Sequence, residues 1–297
     1  MIKIGIFGMG GVGCALYNEL NGYDQLYALA NKERIEKYKE GFIINDKHII
    51  PNYSDSIQPD LLVVSVKNYH LEKSLKDIEK FVGPNTIILP LLNGIKAHDI
   101  LQNYFKNNNV LYGVINVESN KIGNVLRSSK IKNLQFGEEY NTPIKDYLLE
   151  LDSIFTKYDI NHNIYPDMKR RVWLKWMLNM GINQISALLN ATYKDMSHPL
   201  LLEVLFSIFD EVYAVSKAYN ISLDETDLES TKNMCRNYTS PRVTSLTIDF
   251  YNNTENELDS FSKTLIELAK EKNIPVPTNE LIYKLLKGLY DNKNQKD

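Results

Sequence analysis

An apolar run at residues 2–7 passes without a break into Gly8-Met9-Gly10-Gly11-Val12-Gly13, after which Cys14, Ala15, Leu16 and Leu20 recur at helical spacing. Strand, glycine turn and helix in that order start a layered architecture, because a crossover helix after a strand lays the next strand parallel to the first. The glycines of this G-x-G-x-x-G pattern have separate tasks: a tight turn at Gly8, backbone approach to a pyrophosphate at Gly10, and close packing of helix on strand at Gly13. The free N–H groups and positive dipole end of the helix then face the phosphates. Residues 8–13 are therefore expected to bind a dinucleotide; the alternative is a glycine-rich turn that binds nothing.

Further strand-like runs at 25–30, 61–66, 86–92 and 110–115 alternate with helical patterns at 69–82 and 97–105. That alternation predicts a mostly parallel, doubly wound sheet. A small hairpin fits residues 41–50, and short extended pieces fit 122–136. From Pro166 the strands stop and helical periodicity takes over at 167–190, 199–219, 224–236, 257–272 and 278–290, ending in a polar tail from Asp291. The fold class expected is α/β, a doubly wound N-terminal domain over 1–165 followed by an all-α C-terminal domain over 166–297. The site belongs in the cleft between them, at the carboxyl ends of the parallel strands.

A chain of 297 residues suits two domains. Its 37 acidic and 34 basic residues nearly balance, and no basic cluster alternates with aromatics, which argues against nucleic acid. No apolar stretch approaches the roughly 18 residues of a membrane span, and Met1 leads straight into a core strand, which points to a cytoplasmic protein. Cys14 and Cys235 are too few and too far apart for a metal site or a disulfide framework, so no metal is expected.

Residues 175–190 read as a helix apolar nearly all round, with one narrow polar stripe. At about 100° per residue, Lys175, Asn179, Asn183, Ser186 and Asn190 fall within roughly 80° of each other. A helix apolar on its remaining circumference is buried, and burying a lysine and amides is costly unless they meet polar partners. The stripe is thus expected to line a wet pocket for a small polar ligand, with Lys175 placed to protonate a reacting oxygen. For a lone lysine the competing reading is a side chain snorkelling to solvent.

Its partner carboxylate is sought in Thr254-Glu255-Asn256-Glu257-Leu258-Asp259. Counted as a helix, Glu257 shares a face with Phe261, Leu265 and Leu268, so it points inward, whereas Glu255 and Asp259 are solvated or capping groups. Lys67 and Asn93-Gly94 follow strand-like runs, where an open α/β sheet binds its ligand, although either fits an ordinary loop. Ser245, four residues before Asp249 on an expected helix, is a candidate for binding a substrate carboxylate. At the end of the second strand, Asn31-Lys32-Glu33-Arg34 supplies an amide and cations where NAD sites place an acid, which favours NADPH with Lys32 and Arg34 facing the extra phosphate. Both cations also fit a solvated helix start.

Taken together, Gly8-x-Gly10-x-x-Gly13, Val66-Lys67, Leu91-Leu92-Asn93-Gly94, Trp173-x-Lys175-x-x-x-Asn179-x-x-x-Asn183, Ser245-x-x-x-Asp249 and Glu257-Leu258-Asp259 ahead of Ile274-Pro-Val-Pro277 resemble the ketopantoate reductase (2-dehydropantoate 2-reductase) family, nearly end to end. The resemblance implies a Rossmann-type N-terminal domain, a helical second domain, and NADPH-dependent reduction of a 2-oxo acid to a 2-hydroxy acid, with ketopantoate and pantothenate biosynthesis as the leading expectation. It assigns Lys175 as general acid and Glu257 as its partner. Asn93 and Lys67 then lie beside cofactor and substrate, Asn179 and Asn183 hold substrate oxygens, and Ser245 contacts the carboxylate. The expected partners are the small 2-oxo acid and, at most, a second copy in a homodimer. One departure stands out. Where the family often carries Asn-Gly shortly after the second helix asparagine, this chain has Ala191-Thr-Tyr193-Lys-Asp195. Competing readings are a reductase or opine-type dehydrogenase for another 2-oxo acid, and a non-catalytic NADPH sensor, against which the presence of both Lys175 and Glu257 counts.

Overall fold

The structure, a computed structural model, describes residues 1–252 and 254–294. The chain divides into two compact units, Met1–Val172 and Trp173–Asp297.

The first unit opens with β1 (Ile4–Phe7), α1 (Gly11–Glu19), β2 (Leu26–Leu29) and α2 (Lys32–Lys37), then a hairpin of β3 (Phe42–Ile44) and β4 (Lys47–Ile49) and a two-residue strand, β5 (Tyr53–Ser54). It continues through β6 (Leu61–Val64), α3 (Asn68–Glu79), β7 (Ile87–Pro90) and α4 (Ala97–Tyr104). Next come β8 (Tyr112–Asn116), β9 (Ser119–Ile122), β10 (Val125–Ser128), β11 (Asn133–Gly137), α5 (Asp146–Lys157) and β12 (His162–Asn163).

The main sheet is parallel throughout, in the order β5-β2-β1-β6-β7, with Ile4 opposite both Leu26 and Leu61. Its strands are nearly uninterrupted apolar runs because both faces are covered. Successive side chains point to opposite faces, and the two cores divide accordingly. Ile4, Ile6, Leu61, Val63 and Leu89 pack with Cys14, Leu16 and Leu20 of the α1 region. Leu62, Val64 and Ile88 pack with Leu71 and Ile78 of α3 and Leu101 of α4. The strand order reverses at β1, so the ends of β1 and β6 form the switch point where such sheets bind ligands.

The run at 110–115 was expected in the parallel sheet. Only an isolated bridge, Ile88 to Val110, reaches it; β8 instead pairs antiparallel with β11, and β12 completes that three-stranded sheet. The fifth parallel strand is β5, too short to leave a periodic signal. The expected hairpin joins β9 and β10 in a four-stranded sheet, β4-β3-β10-β9.

In the second unit lies most of α6 (Met168–Leu189), followed by a 3-10 turn at Lys194–Ser197 and the helices α7 (Pro199–Ala218), α8 (Glu225–Arg236) and α9 (Ser245–Tyr251). A second 3-10 turn, Leu258–Ser260, leads into α10 (Ser262–Glu271) and α11 (Pro277–Asn294). The last helix takes in the start of the expected polar tail, whose residues 295–297 lie outside the described residues. Among the described residues no helix is long and apolar enough to cross a membrane, and no cluster of His, Cys, Asp and Glu fits a metal ion.

Candidate active site

The glycine turn sits between β1 and α1. Gly8 has φ +102°, and a Cβ there would lie 2.9 Å from the Ser65 backbone. At Gly13 a Cβ would stand 2.0 Å from the Gly8 carbonyl oxygen, so no side chain fits the helix against the turn. Gly10 is different: its nearest obstacle would be the Ser65 carbonyl at 3.8 Å, which leaves the backbone open to a close-approaching group. Gly10 caps α1 without a side-chain hydrogen bond, and the first turn holds no acid. The leading N–H groups of α1 therefore have no side-chain cap, as a phosphate-binding helix requires. The residues present fit a pyrophosphate, with Met9, Gly11 and Val12 completing the turn. Ser65 donates its hydroxyl to the Gly8 carbonyl at 2.8 Å, tying the β6 end to the turn. Sequence reasoning missed Ser119, whose hydroxyl at the start of β9 stands over Gly11. Its partner is distant in sequence, so no local pattern marks it.

Beyond β2, the Asn31 side chain accepts from the Arg34 N–H at 2.9 Å and caps α2. Lys32 and Arg34 are exposed, and Lys32 lies 3.9 Å from Asp55. Asn31 and Lys32 line a cavity of about 220 Å³ with Asp55, Asp77, Lys80 and Phe81, which adds Lys80 as a second cation on its wall; Arg34 is not among its lining residues. Lys67 is exposed at the N-cap of α3, and the Asn68 amide donates to the Asn93 carbonyl at 2.8 Å. That bond ties the residue after Lys67 to the loop after β7, where Gly94 takes φ +86°.

In the second unit, α6 carries the polar stripe, which the structure divides. Lys175 and Asn179 are partly buried and Asn183 is buried. Ser186 is not part of a wet pocket: its hydroxyl donates to the Ala191 carbonyl at 2.6 Å and lies 2.7 Å from the Thr247 hydroxyl, which holds α9 against α6. Nor is Asn190, which is exposed at φ +52° and ends the helix. A left-handed asparagine is a common helix stop. Helical spacing cannot distinguish a hydroxyl that packs from an amide that binds.

Burial lowers the Lys175 pKa from 10.5 to about 8, against the opposing pull of the Glu257 charge. An acid poised near neutrality suits proton donation. Glu257 is buried and Glu255 exposed. The backbone reason differs from the helical count: Glu257 precedes the 3-10 turn, and α10 begins only at Ser262. Two contacts from α6 fix this segment. The Trp176 indole donates to the Ser260 carbonyl at 3.0 Å, and the Ser262 hydroxyl donates to the buried Gln184 side chain.

Ser245 is exposed in the first turn of α9, after a Thr244 cap that accepts from Thr247 N. The altered segment at 191–195 runs beside the residues leading to it, for Tyr193 N donates to the Arg242 carbonyl and Lys194 N to the Ser240 carbonyl. Cys14 and Cys235 are fully buried, and burial pushes both thiols up to about 12, which excludes them as nucleophiles.

Comparison with known proteins decides the family. The profile of ketopantoate reductase PanE/ApbA matches residues 4–139, and that of its C-terminal domain matches residues 167–290. The chain belongs to the ketopantoate reductase family. The 2-dehydropantoate 2-reductase of Aquifex aeolicus is 22% identical over 236 residues, covering 77% of this chain and 76% of that one. Among solved structures, a dimeric ketopantoate reductase from Staphylococcus aureus superimposes with a TM-score of 0.83 at 18% identity, covering 98% of this chain and 99% of that one. A D-mandelate dehydrogenase solved with NADH and anilino(oxo)acetate gives 0.83 at 17% identity, covering 99% of this chain and all of that one. Ketopantoate reductase relatives thus share their fold with an enzyme for another 2-hydroxy acid.

Proposed function

We propose that this chain reduces 2-dehydropantoate to pantoate, a step of pantothenate biosynthesis, with NADPH. The observation that carries this reading is Lys175, whose proton burial loosens and Glu257 partly restores. Bound at the glycine turn, the nicotinamide cofactor supplies the hydride. The chain's own residues do the rest. Lys175 gives its proton to the keto oxygen as negative charge develops there, which stabilises the transition state more than the ground state. Glu257 keeps enough of Lys175 protonated for that transfer. Asn179 and Asn183, each one turn further along α6, hold substrate oxygens, Ser245 meets the carboxylate, and Asn93 and Lys67 serve cofactor and substrate. Lys32 and Arg34 face the extra phosphate of NADPH.

A different 2-oxo acid is favoured by one observation, the 191–195 segment hydrogen-bonded to residues 240–242 where the family often has Asn-Gly. Steady-state kinetics with NADPH and a panel of ketopantoate, pyruvate and phenylglyoxylate separates the two. The highest kcat/KM on ketopantoate supports the first reading, and a clear preference for another member sinks it. Size-exclusion chromatography with light scattering tests whether the chain forms a homodimer.

A further inference from the structure

We propose that Asn256 is a substrate-binding residue whose side-chain amide donates a hydrogen bond to an oxygen of the bound 2-oxo acid, beside Glu257. The inference deepens the reductase reading and rests on it for the class of ligand.

The orientation of the side chain is set by its neighbour. Asn256 Oδ1 accepts from the Leu258 backbone N–H at 3.1 Å, at the entry to the 3-10 turn. Rotating the amide by half a turn would set two donors face to face, so Nδ2 is fixed on the other side. That nitrogen is enclosed and has no acceptor among the described residues. A buried donor left without a partner costs about as much as the hydrogen bond it fails to make. Native proteins keep such groups rarely, and a binding role is one reason they do.

The place of the donor gives it a ligand. The next residue, Glu257, is buried and acts electrostatically on Lys175, the proposed proton donor. A 2-oxo acid presents oxygen acceptors at its carboxylate and keto group, and a carboxylate beside it needs donors interposed if the two negative charges are to be tolerated. Asn256, the residue before Glu257 in the chain, has such a donor to give. The other enclosed orphan among the described residues, Asn279 Oδ1, differs in kind: its amide nitrogen is already given to Glu211 at 2.7 Å, and only an acceptor lone pair is spare.

Two variants separate donation from capping. Asn256→Ser and Asn256→Asp both keep an oxygen for the Leu258 N–H. Neither keeps the amide nitrogen; Asn256→Ser adds no charge beside Glu257, and its hydroxyl is too short to reach where Nδ2 stands. Calorimetric titration of NADP⁺-loaded protein with ketopantoate, pyruvate and phenylglyoxylate identifies the tightest ligand for the wild-type chain. Both variants are expected to bind it about tenfold or more weakly, with NADP⁺ affinity and Tm unchanged. Wild-type affinity in Asn256→Ser overturns the proposal, as does a parallel fall in Tm and NADP⁺ affinity, which would mark Asn256 as a structural cap. A wild-type chain that binds none of the three acids overturns it as well. Binding without turnover, weakened by both variants, would refute the reductase reading and leave the Asn256 assignment standing.

Discussion

A lysine beside a carboxylate ordinarily holds its proton more tightly than a free one, and Lys175 does the reverse because burial outweighs the charge of Glu257. Only the protonated lysine can donate, so turnover should be full below about pH 8 and fall as pH rises through that value. A pH–rate profile flat from 7 to about 9.5 would remove Lys175 as the acid. Lys175→Ala should lower turnover by about 10² to 10⁴ while NADPH affinity, measured by fluorescence titration, stays near that of the wild type. Glu257 acts in the opposite sense to burial, so Glu257→Gln deletes the raising influence and should move the alkaline limb to lower pH. Glu255→Gln is the control. Its side chain is exposed, and both its profile and its Tm should match the wild type. A shift caused by Glu255→Gln and not by Glu257→Gln would reassign the carboxylate.

At the level of elements, what was legible in the sequence was what local spacing determines. The glycine turn stood out because its three constraints fall within six residues, and α6 because four-residue steps bring Lys175, Asn179 and Asn183 to one face. Contacts remote in sequence left no such trace. Apolar residues 110–115 look alike in a parallel and an antiparallel strand, and only pairing with Asn133–Gly137 decides which sheet they join. Glu257 was read as inward on a helix that begins only at Ser262; burial followed from the Trp176 and Ser262 bonds that pin the segment. The Asn31 cap places Lys32 and Arg34 in the first turn of α2, with Lys32 on the cavity that Lys80 also lines. Changing Lys32 and Arg34 together to Ala should therefore erode the proposed preference for NADPH over NADH, read as a ratio of kcat/KM values. Charge-assisted contacts are among the stronger ones, so an unchanged ratio would move the phosphate contact to other residues, Lys80 first.

Across the whole molecule, cofactor binding should appear as stability. NADP⁺ at about 100 times its Kd adds roughly 2.7 kcal/mol to a protein that binds it only when folded, and scanning calorimetry should show the rise. Gly13→Val should abolish that ligand-dependent rise, since its side chain would occupy space held by the Gly8 carbonyl. A variant still stabilised by NADP⁺ would place the pyrophosphate elsewhere. The two buried thiols have a practical consequence of another kind. With pKa values of about 12, Cys14 and Cys235 are almost wholly protonated at neutral pH and shielded from solvent. The chain is thus already a quiet background for maleimide chemistry. One cysteine introduced at a chosen exposed position could take a dye, with neither native cysteine removed, and its fluorescence would then report the binding of cofactor and acid.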